Sequence, residues 1–302
     1  MRRPPVLVLC AVAAALLFGL LPHPPLAAQG AAAEPFRAAP VRGPVAVISG
    51  EGGNIGVLTG PEATLLVDAK FERTVAPVLA AVQALGGQDP AWLINTHFHF
   101  DHTDGNAGFA RRGATIVAQE KVRTRLAQGS RIAAFDRVTP PAPPEALPVV
   151  TFEQKLRLHI DDETVDLLHL PAAHTDTDAI VHFVRADVIH TGDVWFNGSY
   201  PFIDTGHGGT LAGAIAGVDR VLALAGPETR IIPGHGPVGG KDDLESYRAM
   251  LALALERLSA LKQQGLSLEQ VVAAQPLLDL EARWGQGLFP GDRWIAVIWE
   301  GF

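Results

Sequence analysis

Cysteine is nearly missing from this chain of 302 residues, and the single one, Cys10, lies in an apolar run close to the N-terminus. Everything downstream can form no disulfide and offers no thiolate, so any metal site must be built from imidazole and carboxylate. No basic stripe interleaved with aromatics occurs, and the formal net charge is −8. That balance disfavours nucleic acid as substrate or partner. A Gly-x-Ser-x-Gly turn is absent, and so is a phosphate-binding Gly-rich Lys motif, which removes two common catalytic readings. Tandem repeats, coiled-coil patterning and low-complexity stretches are missing as well. Glycine (31) and proline (23) are plentiful but dispersed, as turns rather than disorder require.

What is present starts with Met1-Arg2-Arg3, an apolar run over residues 6–21, and small residues at 26–29 and 31–34. A basic start, a short apolar stretch and an Ala-x-Ala-like end describe a secretory signal peptide. An N-terminal membrane anchor is the alternative, but the run falls short of the ~20 residues a spanning helix needs. Arg2-Arg3 alone is weak evidence for twin-arginine export. Lipidation of Cys10 is disfavoured by the bulky Leu9 before it and by its depth in the run. We therefore expect residues 1–28 to be removed, taking the net charge from −8 to −10 with the loss of Arg2 and Arg3. The expected product, residues 29–302, is a periplasmic or secreted domain without a stable membrane anchor. A thiol-free metalloprotein suits such a compartment, because oxidation cannot destroy its ligands.

Past residue 43 the pattern turns strand-rich. Short β-branched runs at 45–48, 55–58 and 64–67 are separated by Gly, Pro and Asn, as hairpin strands are. Residues 74–85 carry apolar positions at helical spacing and stop at Gly86-Gly87. A buried strand is expected at 92–95 and a short helix near 105–112. Residues 139–148, rich in proline, can continue neither a helix nor a central strand, and read as a stiff surface connection between two halves. Strand signals recur at 156–160, 165–170, 179–184, 188–190 and 230–233, with helices over 211–224 and 242–264.

Seven side chains stand out against this frame: His97, His99, Asp101 and His102 in one cluster, then His174, Asp193 and His235. Each follows a strand-like run, where loops can aim side chains into a shared cleft while a sheet holds them. Four ligands on so short a stretch cannot all serve one tetrahedral ion, but they suit two ions side by side. Because ligands lie on both sides of the proline segment, two independent domains are disfavoured. His159, His169, His182 and His190 fall inside strand runs and read as packed or surface imidazoles. His207, with Asn197, Tyr200 and Phe202, lies in a polar loop beyond Asp193. That loop could overhang the site, and a plain loop histidine is the preferred reading. Phe98 and Phe100 alternate with the ligands, with packing preferred to substrate contact.

The run His97-x-His99-x-Asp101-His102, followed by Ala173-His174-Thr175, Thr191-Gly192-Asp193 and Pro233-Gly234-His235-Gly236, resembles the metallo-β-lactamase-fold hydrolase superfamily. The resemblance spans roughly residues 41–265 and implies an α/β fold, a four-layer αββα sandwich with a two-metal site at one edge. It implies that His97, His99 and His174 bind a first ion, that Asp101, His102 and His235 bind a second, and that Asp193 bridges them. Two zinc ions are implied, with iron and manganese left open. Asp68 matches a carboxylate that orients a ligand, although a strand-end Asp capping a turn is an equal reading. Asp101 would be the catalytic residue, orienting a metal-bridging hydroxide and shuttling its proton.

A bridging Asp where typical metallo-β-lactamases carry Cys or Ser resembles glyoxalase II and lactonase sites. The substrate is then a small molecule, an ester, lactone, thioester or amide, with β-lactams left open. Two other classes stay open: a mononuclear iron persulfide dioxygenase, and a metal-binding module without turnover. The Trp-rich extension 266–302 is expected to pack on the sandwich, with a dimer interface and a narrowing of the cleft as alternatives. The oligomeric state is left undetermined.

Overall fold

The computed structural model describes residues 36–302, so the expected signal peptide lies outside the described residues. Among the described residues, fourteen strands occur in chain order: β1 Arg37–Arg42, β2 Val45–Ser49, β3 Ile55–Thr59, β4 Thr64–Val67, β5 Trp92–Asn95, β6 Thr115–Gln119, β7 Ser130–Ile132, β8 Arg137–Thr139, β9 Val150–Phe152, β10 Lys155–Ile160, β11 Glu163–His169, β12 Ala179–Phe183, β13 Val188–His190 and β14 Arg230–Ile232. The helices are α1 Val75–Ala84, α2 Phe100–Thr103, α3 Asn106–Ala110, α4 Glu120–Gln128, α5 Leu211–Leu224, α6 Lys241–Gln263, α7 Leu268–Ala273, α8 Glu281–Trp284 and α9 Gly291–Ile298.

One sheet has the order β1-β2-β3-β4-β5-β6-β9, a second β10-β11-β12-β13-β14, and β7-β8 form a separate hairpin. In the first sheet β1 to β4 are antiparallel, while β5, β6 and β9 add parallel strands. The parallel strands need helical crossovers, supplied by α1 between β4 and β5 and by α2 and α3 between β5 and β6. β4 is buried at every position, in keeping with its unbroken Leu-Leu-Val run. β10 alternates between exposed and more buried residues, the period-2 pattern of a strand with one covered face.

Val47, Val67, Ile94 and Val117 of the first sheet meet Val165, Leu167, Val181 and Val188 of the second in one apolar layer. The outer face of the first sheet, with Ile48, Val57, Leu66 and Leu93, is covered by Val78, Leu79 and Val82 of α1 and Phe109 of α3. Ile180, Ile189 and Ile231 on the outer face of the second sheet pack against Val218 and Val221 of α5 and Leu251 and Ala254 of α6. Each such Val, Leu, Ile or Phe side chain contributes about 1.5–3 kcal/mol by leaving water. Helix, sheet, sheet, helix is the four-layer αββα sandwich the sequence implied.

Residues 115–138 carry no clear sequence pattern and form β6, α4 and the β7–β8 hairpin, whose last residue, Thr139, opens the segment expected to be a connection. α4 is polar apart from the buried Val122 and Leu126, so its apolar stripe is too thin to stand out. Among the described residues, no helix is long and apolar enough to cross a membrane.

The C-terminal extension does more than pack. Trp284, Phe289 and Trp294 join the cluster around α5 and α6. Trp294 stacks on Tyr200 at 4.5 Å, and its indole N–H donates to the carbonyl of Pro201 at 2.6 Å. The extension thereby grips the loop that follows Asp193.

Candidate metal centre

Strand ends deliver all seven predicted side chains to one edge of the sandwich. β5 runs into Thr96 and His97, and α2 begins directly after His99, so its first turn carries Asp101 and His102. His174 follows β11, Asp193 sits in a 3-10 turn after β13, and His235 follows β14.

The seven fall into two groups. His97, His99, His174 and Asp193 place ligand atoms within 4.8 Å of one another, and so do Asp101, His102 and His235. The imidazoles of His97, His99 and His174 meet edge to face, with centroids 4.7–4.8 Å apart. Asp193 faces both groups with different oxygens. Its Oδ2 lies 3.8 Å from His97 Nε2 and 3.5 Å from His174 Nε2. Its Oδ1 lies 3.1 Å from His102 Nε2 and 3.4 Å from His235 Nε2. Asp101 Oδ2 completes the second group, 3.3 Å from His235 and 3.6 Å from His102. His235 and Asp101 are 31% and 19% exposed, so this second group is the one solvent reaches.

The outward nitrogens are taken by the protein, which fixes each ring. His102 Nδ1–H donates to Asp68 Oδ2 at 2.8 Å. His97 Nδ1–H donates to Thr96 Oγ1 at 3.0 Å, and that hydroxyl donates on to Asp68 Oδ2 at 2.8 Å. The other Asp68 oxygen accepts from Thr96 N at 2.7 Å. His174 Nδ1–H donates to the carbonyl of Phe202 at 2.7 Å, and His99 Nε2–H to Asp204 Oδ2 at 2.9 Å. In this arrangement the inner nitrogens of His97, His99 and His174 present lone pairs to the centre. His99 Nδ1 and His174 Nε2 face each other at 2.8 Å, and His97 Nε2 and Asp193 Oδ1 are buried without a hydrogen-bond partner. Converging lone pairs and an orphaned carboxylate oxygen are costly unless a cation lies between them. The donor set, all imidazole and carboxylate, suits zinc or a neighbouring first-row ion.

Electrostatics separate the two groups. Burial depresses His97 well below the usual imidazole range, and the charge of His102 and the other imidazoles adds to the effect, outweighing Asp193. Burial likewise brings His174 down to about 4. Burial alone would depress His235 too, but Asp193 and Asp101 outweigh it and raise it to about 9. His102 follows the same pattern and is held well above its usual value by Asp193, Asp101 and Asp68. Against its own desolvation, Asp193 is kept well below the carboxylate range by His102, His235 and His97. Without a cation, protons on His102 and His235 therefore balance the carboxylates of Asp101 and Asp193.

Two glycines are demanded by close approach. A Cβ on Gly53 would lie 2.1 Å from the His102 ring, and one on Gly234 would lie 2.0 Å from Asp193 Oδ1. Asp68 itself has φ +70° and Lys70 φ +50°, left-handed conformations that a non-glycine residue rarely adopts. The turn they form carries Asp68 under both His97 and His102.

Asp68 is thus the orienting carboxylate rather than a turn cap. His207 is not a plain loop histidine: its Nδ1–H donates to Asp204 Oδ2 at 2.6 Å, behind His99. Asp204 received no role from the sequence, because no motif spacing links it to His99, 105 positions away. The four strand histidines keep outside the centre as expected, with His169 on the carbonyl of Asp178 and His190 between Asn54 O and Gly192 N. Of the phenylalanines, Phe98 is buried, and Phe100 packs against the core as expected while also lining the cleft. Phe202 also lines the cleft, while Tyr200 is buried and Asn197 bonds Pro237 O.

A cavity of about 500 Å³ opens onto His99, Asp101, Asp193 and His235. Its walls come from Phe100, Phe196 and Phe202, from Ile132 and Phe135 at the β7–β8 hairpin, and from Ser199, Gly287 and Leu288. Narrowing of the cleft by the C-terminal extension, left as an alternative to packing, therefore occurs beside it.

Comparison with known proteins agrees with this fold. The profile of the metallo-beta-lactamase superfamily matches residues 48–261. A hydroxyacylglutathione hydrolase of Mesorhizobium japonicum is 28% identical over 148 residues, 47% of this chain and 48% of that protein. The match to that relative thus spans about half of its length. The acyl-coenzyme A thioesterase MBLAC2 of Gallus gallus is 24% identical over 65% of this chain and 76% of its own. Among solved structures, a metallo-beta-lactamase from Pontibacter korlensis aligns with a TM-score of 0.59 at 16% identity, over 72% of this chain and 99% of that one. A double mutant of the sec-alkyl sulfatase PisA1 aligns with a TM-score of 0.68 at 16% identity, over 88% of this chain and 50% of that one. With its profile match over most of the described residues, this chain belongs to the metallo-beta-lactamase superfamily.

Proposed function

We propose that the protein is a binuclear metal-dependent hydrolase of small acyl compounds, an ester, lactone, thioester or amide. The observation that carries this reading is Asp193, whose two oxygens face two separate imidazole-bearing groups. His97, His99 and His174 would hold one divalent cation, Asp101, His102 and His235 a second, with Asp193 shared; zinc is the metal we propose. When bound, such a pair supplies an acidified water and polarises the scissile carbonyl. Asp68 and Asp204 take the outer N–H groups of His102 and His99, so that the inner nitrogens of these rings would be the ones to face a cation. Asp101, partly open to the cleft, is placed to orient the attacking water and take up its proton. In the net reaction the water oxygen bonds to the acyl carbon and the carbon–oxygen, carbon–sulfur or carbon–nitrogen bond breaks. One water proton leaves with the alcohol, thiol or amine, and the acid product ionises.

Hydroxyacylglutathione and acyl-coenzyme A are thioesters, and the two relatives named for them support an acyl substrate here. Metal analysis beside a panel of lactones, thioesters and β-lactams tests the reading. Two zinc ions and hydrolysis without oxygen uptake support it, whereas one iron with oxygen consumption replaces it with a persulfide dioxygenase. Export is part of the proposal and rests on residues 1–28 alone. N-terminal sequencing of the protein recovered from its own compartment tests it, with a start near residue 29 expected.

A further inference from the structure

We infer that the cavity over the metal centre selects an uncharged, apolar acyl chain, and that the C-terminal extension sets its length. The inference rests on the hydrolase reading and deepens it by naming what the cleft accepts.

Six apolar side chains, Phe100, Ile132, Phe135, Phe196, Phe202 and Leu288, line the cavity. Among the described residues no lysine or arginine lines it; its only ionisable groups are His99, Asp101, Asp193 and His235 of the metal centre. Arg137 stacks over the Phe100 ring at 3.7 Å and Arg293 over Phe289 at 5.3 Å, yet neither reaches the lining. A carboxylate or phosphate carried into the depth of this cavity would lose its hydration and find no cation away from the metals. An alkyl or aryl chain would instead trade water for aromatic faces.

The wall is built across the chain. Phe135 packs edge-on against Phe202 at 4.9 Å and stacks on Phe289 at 5.8 Å, and Phe202 stacks on the ligand His99 at 5.6 Å. Phe289 and Leu288 belong to the extension, beyond the superfamily match that ends at residue 261. Leu288 lines the cavity and is half exposed, so it is the wall residue that also meets solvent. The superfamily fold thus supplies the donors, and a segment outside it supplies the far wall.

The test uses straight-chain acyl thioesters of one small neutral thiol, from acetyl to decanoyl, together with an ω-carboxylated member. The metal-loaded full chain is predicted to gain about three- to fourfold in kcat/KM per added methylene until the cavity is filled. The ω-carboxylated thioester is predicted to fall at least tenfold below its neutral counterpart of equal length. Leu288→Ser, at a half-exposed position that folding tolerates, keeps two metals and flattens the length dependence. In parallel, equilibrium binding of the neutral alcohols butanol, hexanol and octanol, which hold no acyl bond to cleave, reads the cavity without turnover and should tighten with length. Alcohol binding that is flat with length, or a preference for the charged thioester, overturns the inference. Absence of turnover of thioesters, esters, lactones and amides alike, with length-dependent alcohol binding, overturns the hydrolase reading instead and leaves the apolar cavity standing.

Discussion

Asp193 does at the scale of one residue what no other side chain here does: it offers each of its oxygens to a different imidazole group. Asp193→Asn keeps the shape but turns one oxygen into an amide that cannot ligate. Its expected outcome is weaker binding at both positions, read as fewer than two metals per chain after dialysis; two tightly held metals with full activity would contradict it. One step outward, Asp68→Asn and Asp204→Asn should each cost roughly 10–100-fold in metal affinity, because His102 and His99 lose the carboxylates that orient them. Competitive chelator titration measures this. Lys70 yields a prediction about stability alone. Burial brings its pKa from 10.5 down to about 8, and its ammonium donates to the carbonyl of Gly53. Below pH 8 both folded and unfolded states hold the proton and the cost of burying the charge is complete. Between pH 8 and 10.5 the unfolded state keeps a proton the folded state has lost, so stability rises with pH by up to about 3 kcal/mol. Denaturant unfolding at pH 7.5 and 10.5 should show this rise in the native chain and not in Lys70→Met; equal pH dependence in both would refute it.

Elements explain why much of the centre was legible before any coordinates. β5, β13 and β14 are short, apolar and followed at once by the motif residues, so strand pattern and ligand pattern reinforce each other. Asp204 and His207 were not legible in that way. They act through a loop whose conformation is held by hydrogen bonds such as Asp204 N to His174 O, and loops of this kind leave no periodic trace. The β7–β8 hairpin escaped for a related reason: its strands are three residues each, too short for alternation to register. Phe100 packs as its alternation with the ligands suggests, but that it also walls the cleft follows from α2, which no alternation reveals. The extension is a further case, since aromatic content signals burial but not against what. Its grip on the loop through Trp294 predicts that Trp294→Ala lowers stability by about 3–5 kcal/mol. The same change should lower thioester turnover more than metal content, because Tyr200 and Pro201 lie beyond the ligands. Loss of metal equal to the loss of activity would argue against that division.

For the molecule as a whole, the sandwich converts distant sequence into one electrostatic object. The first sheet brings His97 to His102, the second brings His174, Asp193 and His235, and neither sheet alone holds a complete set of donors. Before cations bind, His235 near 9 and His102, held well above its usual value by Asp193, Asp101 and Asp68, keep protons that neutralise Asp101 and Asp193. Cation binding at that group must expel those protons, so affinity rises with pH up to about 9 and falls as the solution is acidified. Calorimetric zinc titration in two buffers of different ionisation enthalpy should report release of roughly two protons at pH 7. No release would contradict the charge balance described here.

The most direct measurement is anomalous diffraction at the zinc edge from crystals of the zinc-loaded full chain. Two peaks are predicted, one among His97, His99 and His174 and one among Asp101, His102 and His235, each in contact with a different oxygen of Asp193. A single peak, or two peaks of which Asp193 touches only one, would contradict the account.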